Sequence, residues 1–454
     1  MKATSLIFIF FLSSIIGSAQ GYFEQSPAIK EAYRLIINLK LDAAKEAIKE
    51  IKVNEPNNLL VLHLDNYIDF FTVFITEEKN QFKELQKNKA KRIEYIEKYG
   101  DRSSPYYLFV QAEIELQWSL VRAKFDELFK AASEAYNAYN LLTANQKKFP
   151  DFIANKKSLS AIHVLVESIP GIVRKVFRIK GSISLGTKEI KEVISYSEEN
   201  DFLYKDEAIA VYTYILFYQN NKRKEAWNFL VHSGLQPKNS PLATFLMATM
   251  AGKVGENDYA IDILKNRPQG GDYASFHYLD FMLGKAKLNR LDEDADDYFL
   301  SFLQEFKGQH YIKEAYQKLG WYNLAIKDNN VPVYKNYMQK IQKNGVKLID
   351  GDKQADKEAK NKSIPHPILL KARLLFDGGY YERAYNTLIK NSSLFGLNSS
   401  NNLEYNYRLG RVTQQLGNAY DAVNYYIEVV NNGSENEAYY ACNSALQLGL
   451  HLFF

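Results

Sequence analysis

Arg408 to Val430 reads RLGRVTQQLGNAYDAVNYYIEVV. Two Leu-Gly pairs, Leu409-Gly410 and Leu416-Gly417, stand seven residues apart, and Ala422 and Tyr426 follow. The pattern is one of side-chain size. A small residue on one helix and a small residue on the next lie where the two helices cross, because only Gly or Ala lets the backbones come that close. Gly417, between them, ends the first helix in a left-handed turn. Tyr426, four residues after Ala422, fills the groove toward the next pair. The stretch predicts an antiparallel helix pair.

The same frame recurs along the chain. Ala226 is followed four residues later by Leu230, Ala260 by Leu264, Ala295 by Phe299 and Ala384 by Leu388. Ala226, Ala260 and Ala295 are spaced by 34 and 35 residues, and Ala384 and Ala422 by 38. Twelve residues before Ala260, Ala384 and Ala422 stand Ala248, Ala372 and Gly410. Gly255, Gly379 and Gly417 each precede the respective Ala by five. Near the N-terminus Ala32, Ala44, Ile48 and Pro56 fit the frame. One pair cannot bury both of its faces, so pairs must stack. Apolar residues recur at three- and four-residue spacing after Gln20, and no sustained alternation reads as a strand. The predicted fold is all-α.

These spacings resemble the tetratricopeptide repeat (TPR) family. The segment from Leu409 to Tyr426 carries the resemblance most fully, with Leu409, Gly410, Gly417, Ala422 and Tyr426 at motif positions. KARLLFDGGYYERAYNTLIK, with Ala372, Gly379, Tyr381, Ala384 and Leu388, and MATMAGKVGENDYAIDIL follow. The resemblance covers about residues 200–454, with a fainter echo over 28–58. It implies a right-handed α-solenoid of stacked antiparallel pairs that binds other proteins in a concave groove. Around Leu319-Gly320-Trp321 the unit departs from the pattern, with Pro332 in its second helix and a shifted register. A second resemblance rests on Glu167 to Ile190. With Pro170, Gly181 and Gly186 it is similar to a connecting element in a eukaryotic TPR family linked to the mitochondrial outer membrane.

Residues 1–19 are set apart as a signal peptide. Lys2 gives a positive start, Leu6 to Ile16 a short apolar core, and Gly17-Ser18-Ala19 a small-residue cleavage site. The core is shorter than the roughly 20 residues a membrane span needs. Residues 20–200 are expected as long, irregular helical repeats and 201–343 as TPR-like repeats. Residues 344–367, polar and charged, are expected as a linker, and 368–454 as TPR repeats ending mid-repeat.

The formal net charge of +4 over 454 residues is near neutral and gives no reason to expect nucleic acid. The single cysteine, Cys442, excludes an internal disulfide, and its apolar helix face points to a buried role. DEDADD, Asp292 to Asp297, lacks the Gly and the Glu that a calcium loop needs at its sixth and twelfth places, and reads as an acidic helix start. The seven histidines are scattered without metal-ligand spacing. GSISLG, Gly181 to Gly186, has neither nucleophile-elbow nor phosphate-loop spacing and reads as a helix junction. No catalytic, cofactor or metal residues are expected. Of two basic stretches, Lys79 to Arg92 reads as a solvated helix face. Ile172 to Lys180 reads first as core packing with snorkelling basic stems and second as peripheral contact with an anionic membrane.

The leading functional reading is an exported, non-enzymatic scaffold of the periplasm or outer envelope that binds a protein or peptide in the solenoid groove. Tyr380, Tyr405, Arg408, Arg411 and Gln415 are the candidate groove residues, because Arg and Tyr give planar hydrogen bonding and rigid contact area. The alternative is a glycan- or lipid-handling accessory protein of the cell envelope. The C-terminus, with Leu450, Leu452, Phe453 and Phe454, leaves an apolar patch without a mate, open to a longer array or to self-association.

Overall fold

The structure, a computed structural model, describes residues 20–166, 179–361, 363–396, 401–433, 435–436 and 438–453. Among them it holds 22 α-helices and no strand. The chain opens with α1 (Pro27–Ile37) and α2 (Leu41–Asn54), then the long helices α3 (Leu60–Thr76), α4 (Lys79–Tyr99), α5 (Tyr106–Lys124) and α6 (Leu128–Lys148). Next come α7 (Ala154–Leu165), α8 (Ile183–Glu199), α9 (Lys205–Tyr214), which runs on into a π-helical turn, and α10 (Arg223–Val231). The middle holds α11 (Pro241–Val254), α12 (Asn257–Lys265), α13 (Tyr278–Arg290), α14 (Ala295–Glu305), α15 (Ile312–Ala325) and α16 (Val331–Lys343). The last are α17 (Asp350–Lys360), α18 (Pro367–Asp377), α19 (Tyr381–Lys390), α20 (Asn402–Gln415), α21 (Ala419–Gly433) and α22 (Tyr440–Phe453).

Consecutive helices pack as pairs: α11 with α12, α13 with α14, α15 with α16, α18 with α19, and α20 with α21. The crossings are made by small residues. A Cβ on Gly410 would lie 2.7 Å from the ring of Tyr426, and one on Gly284 would lie 3.2 Å from that of Phe299. Gly320 packs the same way on Met338 and Tyr334. Ala226, Ala248, Ala260, Ala372, Ala384 and Ala422 are all buried. Gly255, Gly379 and Gly417 end or follow their helices at φ +89°, +82° and +83°, a conformation that L side chains resist. The fold is thus an α-solenoid of stacked helix pairs, TPR-like in its geometry.

The array also folds back on itself. The amide of Ala274 donates to the Leu39 carbonyl at 2.8 Å, and Ser240 Oγ to that of Ile37 at 3.3 Å. Glu77, at the end of α3, accepts the amides of Gln309 and His310 at 3.2 and 3.0 Å, just ahead of α15. Lys124 Nζ pairs with the same carboxylate at 2.9 Å. Burial would raise the Glu77 pKa, but the contacts to His310 and Lys124 outweigh it and hold it at about 2.

Several expectations are corrected. The segment 344–367 is no plain linker, because it contains α17. Ala355 of α17 is fully buried, and Asp352 accepts the backbone amides of Tyr311 and Glu314 at 2.8 and 3.0 Å. Those are amides at the start of α15, which lacks a cap from its own preceding residue, so a carboxylate from a distant polar helix satisfies them. Across the expected change of repeat type at 200/201 the packing is continuous, since Ile190, Val193 and Ile194 share one apolar cluster with Ala208 and Ile209. Pro332 does not disturb its helix; it occupies the first turn of α16, where no amide is needed. The basic stretch of α4 is only half solvated. Lys89 pairs with Glu115 and Glu134, and Arg92 with Asp69, all turned inward. Cys442 is exposed, in line with exposed Leu446 and Leu450 at four-residue spacing. Met1 to Ala19, Pro170, Ile172 to Arg178 and Phe454 lie outside the described residues.

Candidate functional site

A cleft runs along the first helices of successive pairs. Its apolar part, about 580 Å3, is lined by Phe245 and Ala248 of α11 and by Tyr278, Phe281 and Met282 of α13. Its charged part, about 610 Å3, passes over α15, α17, α18 and α20 to Tyr439 and Tyr440. Lys285, Asn289 and Asp377 line both parts, so the cleft is continuous.

Trp321 of α15 organises the charged part. Its indole Nε1–H donates to Glu358 Oε1 at 2.8 Å, and Tyr334 donates its hydroxyl to the same oxygen at 3.0 Å. Gln317 Nε2 donates to the other carboxylate oxygen at 2.6 Å. Two cations sit over the indole ring, Lys318 Nζ at 3.7 Å and the Arg373 guanidinium at 4.6 Å from its centre. Such contacts favour a cation where water is excluded. Burial nonetheless pushes the Lys318 ammonium down to about 8, with Glu314 opposing and the nearby Lys285 and Arg373 adding to the fall. Glu314 and Glu404 are both held below the usual carboxylate range by the basic groups beside them, against the pull of burial. Glu358 comes from α17, the helix that sequence reading placed in a linker, which is why this cluster was not foreseen.

The five candidate groove residues part company. Arg408 and Arg411 line the C-terminal end of the cleft region. Arg408 is forked onto Glu404, with Nε to Oε1 at 2.8 Å and a second contact from Nη2. Arg411 donates to the Tyr407 hydroxyl at 3.3 Å and lies 5.1 Å from the Phe376 ring centre. Tyr405 is not in the groove. It is 7% exposed and stacks on Phe395 at 4.8 Å, because its place on α20 faces the interior beside Leu409. Tyr380 bridges two turns: its hydroxyl donates to Asp258 at 2.9 Å and accepts from Asn257 at 3.1 Å. Gln415 is exposed and does not line the cleft. Among the described residues no helix is long and apolar enough to cross a membrane.

The fold and cleft together define a TPR-like α-solenoid with a groove along its first helices. No protein-family model matches the chain, and no curated protein matches it. Among solved structures it is similar to the crystal structure of the yeast Tom70, at 12% sequence identity and a TM-score of 0.36, over 93% of this chain and 88% of that one.

Proposed function

We propose that this protein is an exported, non-enzymatic scaffold that binds a segment of another protein in the cleft. The observation that carries the reading is the continuity of an apolar trough with a charged one along successive first helices. A helical or extended segment laid there would bury apolar side chains against Phe245, Tyr278 and Met282. Its polar end would lie over Trp321 and its cations. Binding is favoured over catalysis because the two carboxylates at the centre of the charged part are committed: Glu358 to Trp321, Tyr334 and Gln317, and Glu404 to Arg408. Export rests on the leader-like composition of residues 1–19.

Capture from envelope extract on the immobilised chain, with mass-spectrometric identification, tests the binding. A stoichiometric protein is expected. Met282→Glu, which changes the apolar trough, and Lys285→Glu, which changes the place where the two troughs meet, are expected to remove it while leaving the thermal melt in place. Undiminished capture by both variants would overturn the groove assignment. Intact mass of the exported chain tests the leader: a mass that retains Met1 to Ala19 would remove the export reading.

A further inference from the structure

Beside the charged trough, between α18, α20 and the start of α22, lies a smaller cavity of about 160 Å3. Three arginines line it, Arg373, Arg408 and Arg411, against one carboxylate, Asp377. Phe376, Tyr407 and Tyr439 form much of the remaining wall. We propose that this cavity binds a tetrahedral oxyanion, either free phosphate or the phosphoryl group of a phosphate monoester.

The charge balance carries the first step. Arg408 is already matched by Glu404, and both of its contacts fall on a single oxygen of that carboxylate. Arg373 meets Asp377 at 3.8 Å, an ion-pair distance longer than a hydrogen bond. Arg411 has a neutral partner, the Tyr407 hydroxyl, and its Nε is buried without an acceptor. A buried N–H of a cation lacking an acceptor is a group that a ligand oxygen can satisfy. The cavity therefore holds an excess of positive charge and of donors.

Geometry carries the second step. The pairing of Arg408 with Glu404 shows what a carboxylate needs here, one guanidinium. Arg373 and Arg411 stand on different helices and address the same space. A guanidinium offers its donors in one plane, so two of them on separate helices present two forks. A phosphoryl group has three terminal oxygens and can accept from both forks, and its negative charge answers Arg411 together with Arg373, whose ion pair to Asp377 is long. The wall contributes as well. Phe376 lies against the Arg411 guanidinium, and the buried Tyr407 ring displaces water beside it, where charge-assisted bonds are stronger. The cavity and the charged trough share Arg373, Asp377, Arg408 and Tyr439, so an ester substituent has a path into the trough. Phosphoryl binding here requires no protein ligand in the trough.

Isothermal titration of the full chain with sodium phosphate, phenyl phosphate and sodium acetate tests it. One saturable site for a phosphoryl ligand is expected, with acetate weaker by about tenfold or more, the loss of one charge-assisted fork. Tighter binding of phenyl phosphate than of phosphate assigns the ester; equal or weaker binding assigns the free ion. Arg411→Gln and Arg373→Gln are each expected to weaken the phosphoryl ligand by about tenfold, and Arg411→Lys, which keeps the charge and loses the fork, by less. The two sites on separate helices guard against one variant failing to fold, which a thermal melt reads directly. Acetate binding as tightly as phosphate, unchanged affinity in the folded Gln variants, or no saturation by about 10 mM, well above a millimolar Kd, overturns the proposal. Loss of protein capture by Met282→Glu with phosphate binding intact supports both assignments separately, since that variant leaves the arginines untouched.

Discussion

The helices α1 to α9 and the pairs α18 to α21 hold their interiors together by different means. In the C-terminal pairs the contact is steric: Gly410 under the Tyr426 ring, Ala384 and Ala422 at full burial. In the N-terminal block the centre is ionic. Lys157 of α7 is buried between Glu113 of α5 and Glu207 of α9, at 2.7 and 2.8 Å. Tyr33 and Tyr67 donate their hydroxyls to the second oxygen of Glu207, at 2.6 and 2.5 Å. Burial alone would raise the Glu207 pKa, and Lys157 with the two tyrosines holds it low instead. The steric device joins neighbours in sequence, whereas the ionic one joins α1, α3, α5, α7 and α9 at a point.

Removing one member of the ionic centre should have the largest effect. Lys157→Met leaves the buried Glu113 and the half-buried Glu207 carboxylates without their cation and is expected to lower stability by about 3 kcal/mol. Adding Glu113→Gln and Glu207→Gln should return most of that loss. Denaturant melts followed by tyrosine fluorescence measure both, and a loss near zero for the single variant would put the ionic block on the same footing as the steric one.

Acid probes the contact that joins the N-terminal block to α15. Glu77 titrates at about 2 in the fold against 4.5 ordinarily, so the unfolded chain takes up its proton first as pH falls. The stabilisation, about 3 kcal/mol from a depressed carboxyl pKa, is full above pH 4.5 and fades between there and pH 2. Glu77→Gln should flatten this part of the stability–pH curve; a curve unchanged in shape would detach Glu77 from the effect.

The steric device answers to size. Gly410→Leu overpacks the crossing with Tyr426 and is expected to cost about 1–3 kcal/mol. A melt at the parent temperature would mean that α20 and α21 can slide apart freely. The smallest effect belongs to Gln415→Ala, an exposed position away from the cleft, which should stay within about 0.5 kcal/mol. A larger shift would give the outer face of α20 a contact that the fold does not show.

This contrast explains what could be read in advance. The helix pairs were legible because Gly410, Gly417, Ala422 and Tyr426 act on one another across a few turns of chain, so size and spacing suffice. The Trp321 cluster was not, because Glu358 arrives from a helix whose composition looks like solvated linker. Ala355 and Asp352 are the residues that dock it, and neither stands out by sequence. Tyr405 was misplaced for a related reason: it shares α20 with Arg408 and Arg411, and only the packing of Phe395 shows which side of that helix faces inward. Arg408 and Arg411 were chosen with it by residue type alone, and the structure puts both in the lining of the cavity between α18 and α20.

The contact between Glu77 and His310 has a consequence for how the molecule is made. Its partners are separated by 233 residues, so it cannot form while the first helices are being synthesised. At about 5–20 residues per second, the Glu77 carboxylate waits about 10–50 s for the amides that will receive it. Stacked repeats can ordinarily settle as they emerge, each against the one before. Here the early helices can settle around Lys157, but the contact of α3 with the chain ahead of α15 stays unmade until that later segment has been synthesised.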